Sequence, residues 1–292
     1  MRLLPYSSRA YPDKLTHIAQ PPYAIFCKGA MPDARKSVGI VGARMCSEYG
    51  RSIATKLGKL LADKDVQVIS GMALGIDSAS HAGALQGKGS TFAVLGCGCD
   101  VCYPKNARNL YENIQSSGGG ILSEYPPGTK PMPYRFPERN RIISALSDCL
   151  VVVEAKKKSG SLITVNFALE QGKTVYALPG RLGDTLSEGC NNLIFEGAGI
   201  ANSVDIILDE LQISEKLKTD LEAKSNFRLA SREEMVYSCL DLRPKYLEEI
   251  FLQVELNPGE IQEYIETGIE GACSRASQKL LCQNGRLRWR NI

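Results

Sequence analysis

Residues 136–164, FPERNRIISALSDCLVVVEAKKKSGSLIT, decide how the rest of the chain is read. Parallel strands covered on both faces appear as unbroken apolar runs, and residues 149–153 (CLVVV) are such a run, closed by Glu154 and Ala155. A basic, polar turn (Arg139, Asn140, Arg141) is expected before this strand, and a glycine–serine turn (Ser159, Gly160, Ser161) after it. Ligands of open α/β sheets gather at the carboxyl ends of the strands. Arginine, asparagine, small hydroxyls and glycine suit phosphate oxygens and supply no good general base. The pattern points to holding a polyanion rather than cutting one.

Outward from this stretch, apolar runs alternate with helical patterns from Ser37 to about Asp209, the mark of a doubly wound, mainly parallel α/β sheet with helices on both faces. Strands are expected at 38–41, 66–70, 91–95, 120–123, 149–153 and 175–178, and later helices at 77–85, 107–115, 140–146 and 162–171. Between the first two strands Ile53, Ala54, Leu57, Leu60 and Leu61 share one helical face, with Ser47 placed to cap it and Glu48 in its first turn.

The opening strand-turn-helix, GIVGARMCSEYG, lacks the dinucleotide fingerprint: Gly39 and Gly42 are spaced G-x-x-G, and no acid ends the second strand. Arg44 instead projects from the turn beside Ser47 and the free amides of a helix start, a set that fits a single phosphate. The plainer reading of Arg44 is a pair with a surface carboxylate. After the second strand, Gly71 lets the backbone approach a ligand, and Asp77 is placed to cap the next helix. After the third come Tyr103, Lys105 and Asn106. Phe136 offers a face for base stacking; its plainer role is core packing.

With 292 residues, 43% of them hydrophobic, the chain is long enough for one large core and a satellite. A formal net charge of +3 is too mild for a global attraction to polyanions, so local clusters must do the holding. The first residues, MRLLPYSSRAYPDKL, contain no leader-type apolar core, and no apolar run approaches membrane-spanning length, so a cytoplasmic protein with no membrane partner is expected. Most of the ten cysteines stand singly at apolar positions. Cys97, Cys99 and Cys102 have a metal-like spacing but sit in a strand-to-turn context, and the chain has only two histidines, His17 and His81, to offer as a fourth ligand, so no metal is expected.

Four segments are expected: a lead-in (1–36) packing on the core, a Rossmann-like domain (37–210), a linker (211–226) and a small winged-helix-like domain (227–292). The last holds three amphipathic helical patterns (233–240, 246–253, 259–268), then LLCQNGRLRW, where Asn284-Gly285 between apolar or alternating residues signals a two-residue hairpin. From Arg275 onward there are five basic residues and no acidic one, so the wing is cationic.

Seven motifs in order, VGIVGARMCSEYG, ISGMALGIDSASHAGAL, VLGCGCDVCYPKNARNLYENI, ILSEYPPGTKP, the 136–164 stretch, ALEQGKTVYALPG and GCNNLIFEGA, closely resemble the DNA-processing protein A family, DprA, also called Smf. The resemblance covers about residues 11–209. It implies an extended Rossmann-like domain that binds single-stranded DNA without a cofactor, protects incoming strands during natural transformation and loads the recombinase RecA. Carried over, Arg44 corresponds to the phosphate-holding arginine, Lys105 to a second cation and Phe136 to the base-contacting aromatic. Ser47, Gly71, Asn140, Gly160 and Ser161 would form the surrounding wall, with Arg139 and Arg141 adding charge. The resemblance also implies a homodimer through residues 189–208. Many members begin with a helix-hairpin-helix or SAM-like domain, for which the roughly 35 residues before the first strand are too few.

Two rival readings remain on the residues alone. A nucleotide-binding enzyme or sensor related to nucleoside-monophosphate phosphoribohydrolases would need a P-G-G-x-G-T turn, where this chain has Ser159-Gly160-Ser161-Leu162-Ile163-Thr164 and a Glu170 nine residues beyond Ser161. A protein-interaction scaffold would rest on the tail. The first reading, a non-catalytic binder, accounts for most of the residues.

Overall fold

The computed structural model describes residues 1–213, 245–246, 278–283 and 286–291. The chain divides into two compact units, Met1–Lys216 and Leu217–Ile292. In the first, β1 (Arg2–Pro5), α1 (Asp13–Thr16) and β2 (Ala24–Gly29) precede β3 (Ser37–Val41), α2 (Glu48–Asp63), β4 (Gln67–Ser70), α3 (Ile76–Ala84) and β5 (Thr91–Val94). A 3₁₀ turn (Lys105–Ala107), α4 (Arg108–Ser116), β6 (Gly120–Ser123), α5 (Arg135–Leu146) and β7 (Cys149–Val152) follow. Then come α6 (Ser161–Glu170), β8 (Thr174–Ala177), α7 (Glu188–Phe195), β9 (Gly199–Ile200) and α8 (Val204–Glu210).

The strands form one nine-stranded sheet in the order β1-β2-β6-β5-β4-β3-β7-β8-β9. Seven are mutually parallel; β2 joins β6 antiparallel (Phe26 opposite Ser123), and β1 closes that edge. The expected six strands are all present, and the additional three lie at the edges. Every residue of β3, β4, β5, β6 and β7 is buried, because helices cover both faces, and that is why these segments read as continuous apolar runs. Residues before β3 enter the main core as well: Tyr11, Leu15, Ile18 and Ile25 pack with Leu122, Leu146 and Val152.

The sheet places the site. From β3 the chain winds through β4, β5 and β6 to one side, then returns to lay β7 on the other flank of β3 and continues to β8 and β9. The strand order therefore reverses between β3 and β7, and a crevice opens at their carboxyl ends. The returning connection is α5, which packs across β3, β4 and β5.

Two local expectations are corrected. Arg139, Asn140 and Arg141 are not a turn; they lie inside α5, which begins four residues earlier. Arg139, Ile142, Ile143 and Leu146 are all buried, the i, i+3, i+4, i+7 face of a helix, with an arginine at one apolar-face position. Asp77 does not cap α3 either. It stands in the first turn, and its Oδ2 instead accepts from the backbone N–H groups of Gly71 (3.1 Å) and Ala73 (3.4 Å), holding the loop after β4.

In the second unit β10 (Lys245–Tyr246), β11 (Gln278–Gln283) and β12 (Arg286–Asn291) form an antiparallel sheet in the order β10-β12-β11. Gln283 pairs with Arg286, so β11 and β12 are joined by the two-residue connection expected at Asn284-Gly285. Tyr246, expected to open a helix, is in β10. The helical patterns at 233–240, 247–253 and 259–268 and nearly all of the linker lie outside the described residues.

Candidate nucleic-acid interface

A cleft of about 450 Å³ occupies the crevice between β3 and β7. Four segments build it: the β3–α2 turn with Arg44 and Met45, the start of α3 with Asp77, the inner face of α5 with Phe136, Arg139 and Asn140, and the β7–α6 connection with Lys156 and Lys158. The first turn of α6, from Ser161, completes the wall. Backbone N–H groups of a first helical turn have no partner within the helix and favour a negative ligand.

The cations differ in kind. Arg44, Lys156 and Lys158 are exposed. Arg44 has no ion pair or hydrogen bond among the described residues, so the surface-carboxylate reading of this side chain does not hold there. Arg139, 4% exposed, is the floor. Its Nη1 donates to the carbonyls of Gly71 (2.8 Å) and Val94, and its Nε to Asn140 Oδ1 (3.2 Å). Beside it, burial pushes the Asp77 carboxyl up to about 6 against the opposing pull of the Arg139 charge and the two backbone N–H donors. Burial likewise lowers Arg139 to about 10, which leaves it charged at neutral pH. The floor thus sets the Arg139 charge, with its Nη1 and Nε engaged by the protein, beside the Asp77 carboxyl, and the rim carries three cations that make no hydrogen bond or ion pair among the described residues.

The expected site residues divide accordingly. Arg44, Phe136, Arg139, Asn140, Gly160 and Ser161 meet around the cleft. Gly71 does not line this cleft but borders a smaller adjoining cavity, and a Cβ there would stand 2.7 Å from both Arg139 Nη atoms and from Asp77 Oδ2, crowding the floor. Ser47 caps α2 by accepting from Gly50 N (3.0 Å), and its Oγ and N both donate to Glu154, at 2.5 and 2.9 Å. It faces a neighbouring cleft of about 600 Å³. Lys105 is exposed at the head of the 3₁₀ turn and lines neither cleft. Arg141 is engaged elsewhere, holding Glu124 bidentately (2.7 and 2.6 Å) and donating to Gln20 O. Lys156 and Lys158 are additions to the expected set; three consecutive lysines directly after a buried strand that ends at the crevice are the signal that marks them.

Elsewhere, Cys97 and Cys99 are buried, and burial pushes both thiols up to about 11. Glu170 ends α6, about 14 Å along the helix from Ser161, and does not line the cleft. Among the described residues no helix is long and apolar enough to cross a membrane.

Fold and cleft define a Rossmann-like α/β protein with a cationic pocket at the topological switch point of its sheet. The family model described as DNA recombination-mediator protein A matches residues 2–212, and the chain belongs to that family. It is 43% identical over 204 residues to DNA processing protein DprA of Streptococcus pneumoniae, spanning 69% of this chain and 71% of that relative. With DprA of Bacillus subtilis it shares 42% identity over 210 residues, 71% and 70% of the two chains. Among solved structures, the X-ray structure of the S. pneumoniae protein superposes with a TM-score of 0.67 at 40% identity, covering 72% of this chain and 74% of that one. DprA of Helicobacter pylori, described for its single-stranded DNA binding mode, superposes with a TM-score of 0.61 at 30% identity, covering 69% and 92%. The chain is a DNA recombination mediator by family, and the phosphoribohydrolase alternative is not favoured.

Proposed function

We propose that the cleft binds the backbone of single-stranded DNA without cutting it. The observation that carries this reading is the arrangement of Arg44, Lys156 and Lys158, three exposed cations around the switch-point crevice, above an arginine floor. Guanidinium and ammonium groups, with the first-turn amides of α6, match phosphate oxygens. Asp77, the one carboxylate among the described residues lining the cleft, is held by two backbone donors near the Arg139 charge and serves the floor rather than a proton transfer. The H. pylori relative binds single-stranded DNA, and 30% identity to it through the Rossmann-like domain supports the same ligand here.

The remaining assignments are proposed alongside this reading. Residues 37–210 are the DNA-binding domain, with 1–36 adding edge strands to its sheet, 211–226 as a linker and 227–292 as a winged-helix-like module whose wing is the β11–β12 hairpin. A homodimer through 189–208 is supported by the exposed Phe195 (92%) and Ile200 (47%) beside the short edge strand β9. Loading of RecA, protection of incoming strands during DNA uptake and a cytoplasmic location rest on the family relation.

Arg44→Ala is the test. Losing a charge-assisted contact of about 1.5–3 kcal/mol weakens binding about tenfold or more. Measured by fluorescence anisotropy, the loss is expected for every single-stranded sequence alike, because phosphate contacts carry no base information. Duplex is expected to compete poorly. Equal competition by duplex, or wild-type affinity in Arg44→Ala, rules the reading out.

A further inference from the structure

Base contact falls to Phe136 by family resemblance, yet in this chain the Phe136 ring is already engaged. Tyr103 stacks on it with ring centroids 5.4 Å apart and planes 29° from parallel. The guanidinium carbons of Arg44 and Arg139 lie over the same ring, 5.6 and 6.0 Å from its centroid. Behind it the backbone is close: a Cβ on Gly96 would come within 2.9 Å of Phe136 Cδ1. Phe136 lines the main cleft as well as the smaller cavity beside it, and a nucleobase that meets it finds its ring already flanked by Tyr103, Arg44 and Arg139.

Tyr103 is placed differently. It follows β5 on the 96–104 loop, is 40% exposed, and pairs with no described ring or cation other than Phe136. A small second cavity of about 60 Å³ opens here, walled by Arg44, Leu74, Gly96, Tyr103, Pro104 and Phe136. Arg44 borders both this cavity and the main cleft. A phosphate held by Arg44 therefore leaves its neighbouring base beside the Tyr103 ring.

We propose that Tyr103 is the outer plate of a base-stacking subsite, with Phe136 as its rigid backing and Arg44 fixing the adjoining phosphate. This rests on the single-strand reading above and names the residue that meets the base. Stacking on Phe136 holds the tyrosine in place before a strand arrives, so little side-chain freedom is lost on binding. Every base has a π-face, so such a subsite tolerates any sequence but requires that a base be present.

The experiment scans one abasic residue along a short oligothymidylate and measures affinity with the full chain. In the wild type, one position of the abasic residue weakens binding roughly tenfold. Tyr103→Ala weakens binding of the intact oligonucleotide by a similar factor, and the abasic residue then costs nothing more. Tyr103→Phe binds as the wild type. Tyr103→Leu, which keeps apolar cover on Phe136, behaves like the alanine variant and separates lost stacking from a disturbed fold. Intact-oligonucleotide affinity unchanged in both Tyr103→Ala and Tyr103→Leu, or an abasic loss that persists in full in Tyr103→Ala, overturns the subsite while leaving the single-strand reading standing. Absence of any wild-type binding to oligothymidylate overturns both.

Discussion

Arg139→Ala is expected to destabilise the domain by about 3–5 kcal/mol, the cost of removing a buried cation that satisfies two backbone carbonyls and offsets a nearby buried carboxyl. The side chain is 4% exposed and its Nη1 satisfies two backbone carbonyls, Gly71 O after β4 and Val94 O at the end of β5. Truncation strands those carbonyls, leaves the Asp77 carboxylate buried beside the gap, and opens a cavity on the inner face of α5. The loss has a pH signature. Asp77 already titrates near 6 because burial favours its neutral form, and removing the adjacent cation raises that value further. A raised carboxyl pKa makes the folded chain take up its proton before the unfolded chain does as pH falls, so that stability is present in full below about pH 4 and is lost as pH rises through 6. The variant gains more from this than the wild type, and the stability gap is expected to be narrower at pH 5 than at pH 7.5. Urea unfolding at the two values checks both parts; a gap below about 1 kcal/mol, or one that widens in acid, contradicts them.

Gly83→Ala is expected to cost about 3 kcal/mol, although alanine is the better helix former by about 1 kcal/mol. Gly83 in α3 faces the backbone of α2, where a Cβ would lie 1.9 Å from Thr55 O; the reciprocal Gly58 of α2 faces Ser80 O at 2.2 Å. Neither oxygen belongs to a movable side chain, so the helices must separate. Because Arg44 leads into α2 and Asp77 lies in the first turn of α3, their separation also spreads the cleft. For a domain of this size the melting temperature should fall by roughly 6–12 °C. Gly160→Ala is the control: its Cβ meets nothing within 4 Å and its φ is −63°, so its melting temperature should be unchanged. Equal effects at the two positions would show that the α2–α3 contact is not the tight one.

Central strands and their crevice are legible in the sequence because burial on both faces leaves unbroken apolar runs. The edges are harder to see. In β2 burial alternates only between half-buried and buried positions, and β9 has two residues, too few for any periodic signal. The start of α5 resembles a turn because Pro137 and a charged run suggest one, although proline is tolerated in a first helical turn. An arginine on an apolar helix face is legible only once the carbonyls it satisfies, one just after β4 and one at the end of β5, are known. Ser47 is readable as a cap but not as the partner of Glu154, more than a hundred residues away. Arg44 stands out because it sits in the turn itself, whereas Lys156 and Lys158 are masked by the glycine–serine turn they precede.

The central claim is that phosphates are gripped at the lip of the β3–β7 crevice, and the salt dependence of oligothymidylate affinity measures it most directly. For a single strand the slope of log affinity against log salt is about −0.7 per phosphate neutralised, so Arg44→Ala should flatten the wild-type slope by about 0.7. A variant that binds more weakly with the wild-type slope, or a wild type whose affinity ignores salt, would contradict the account.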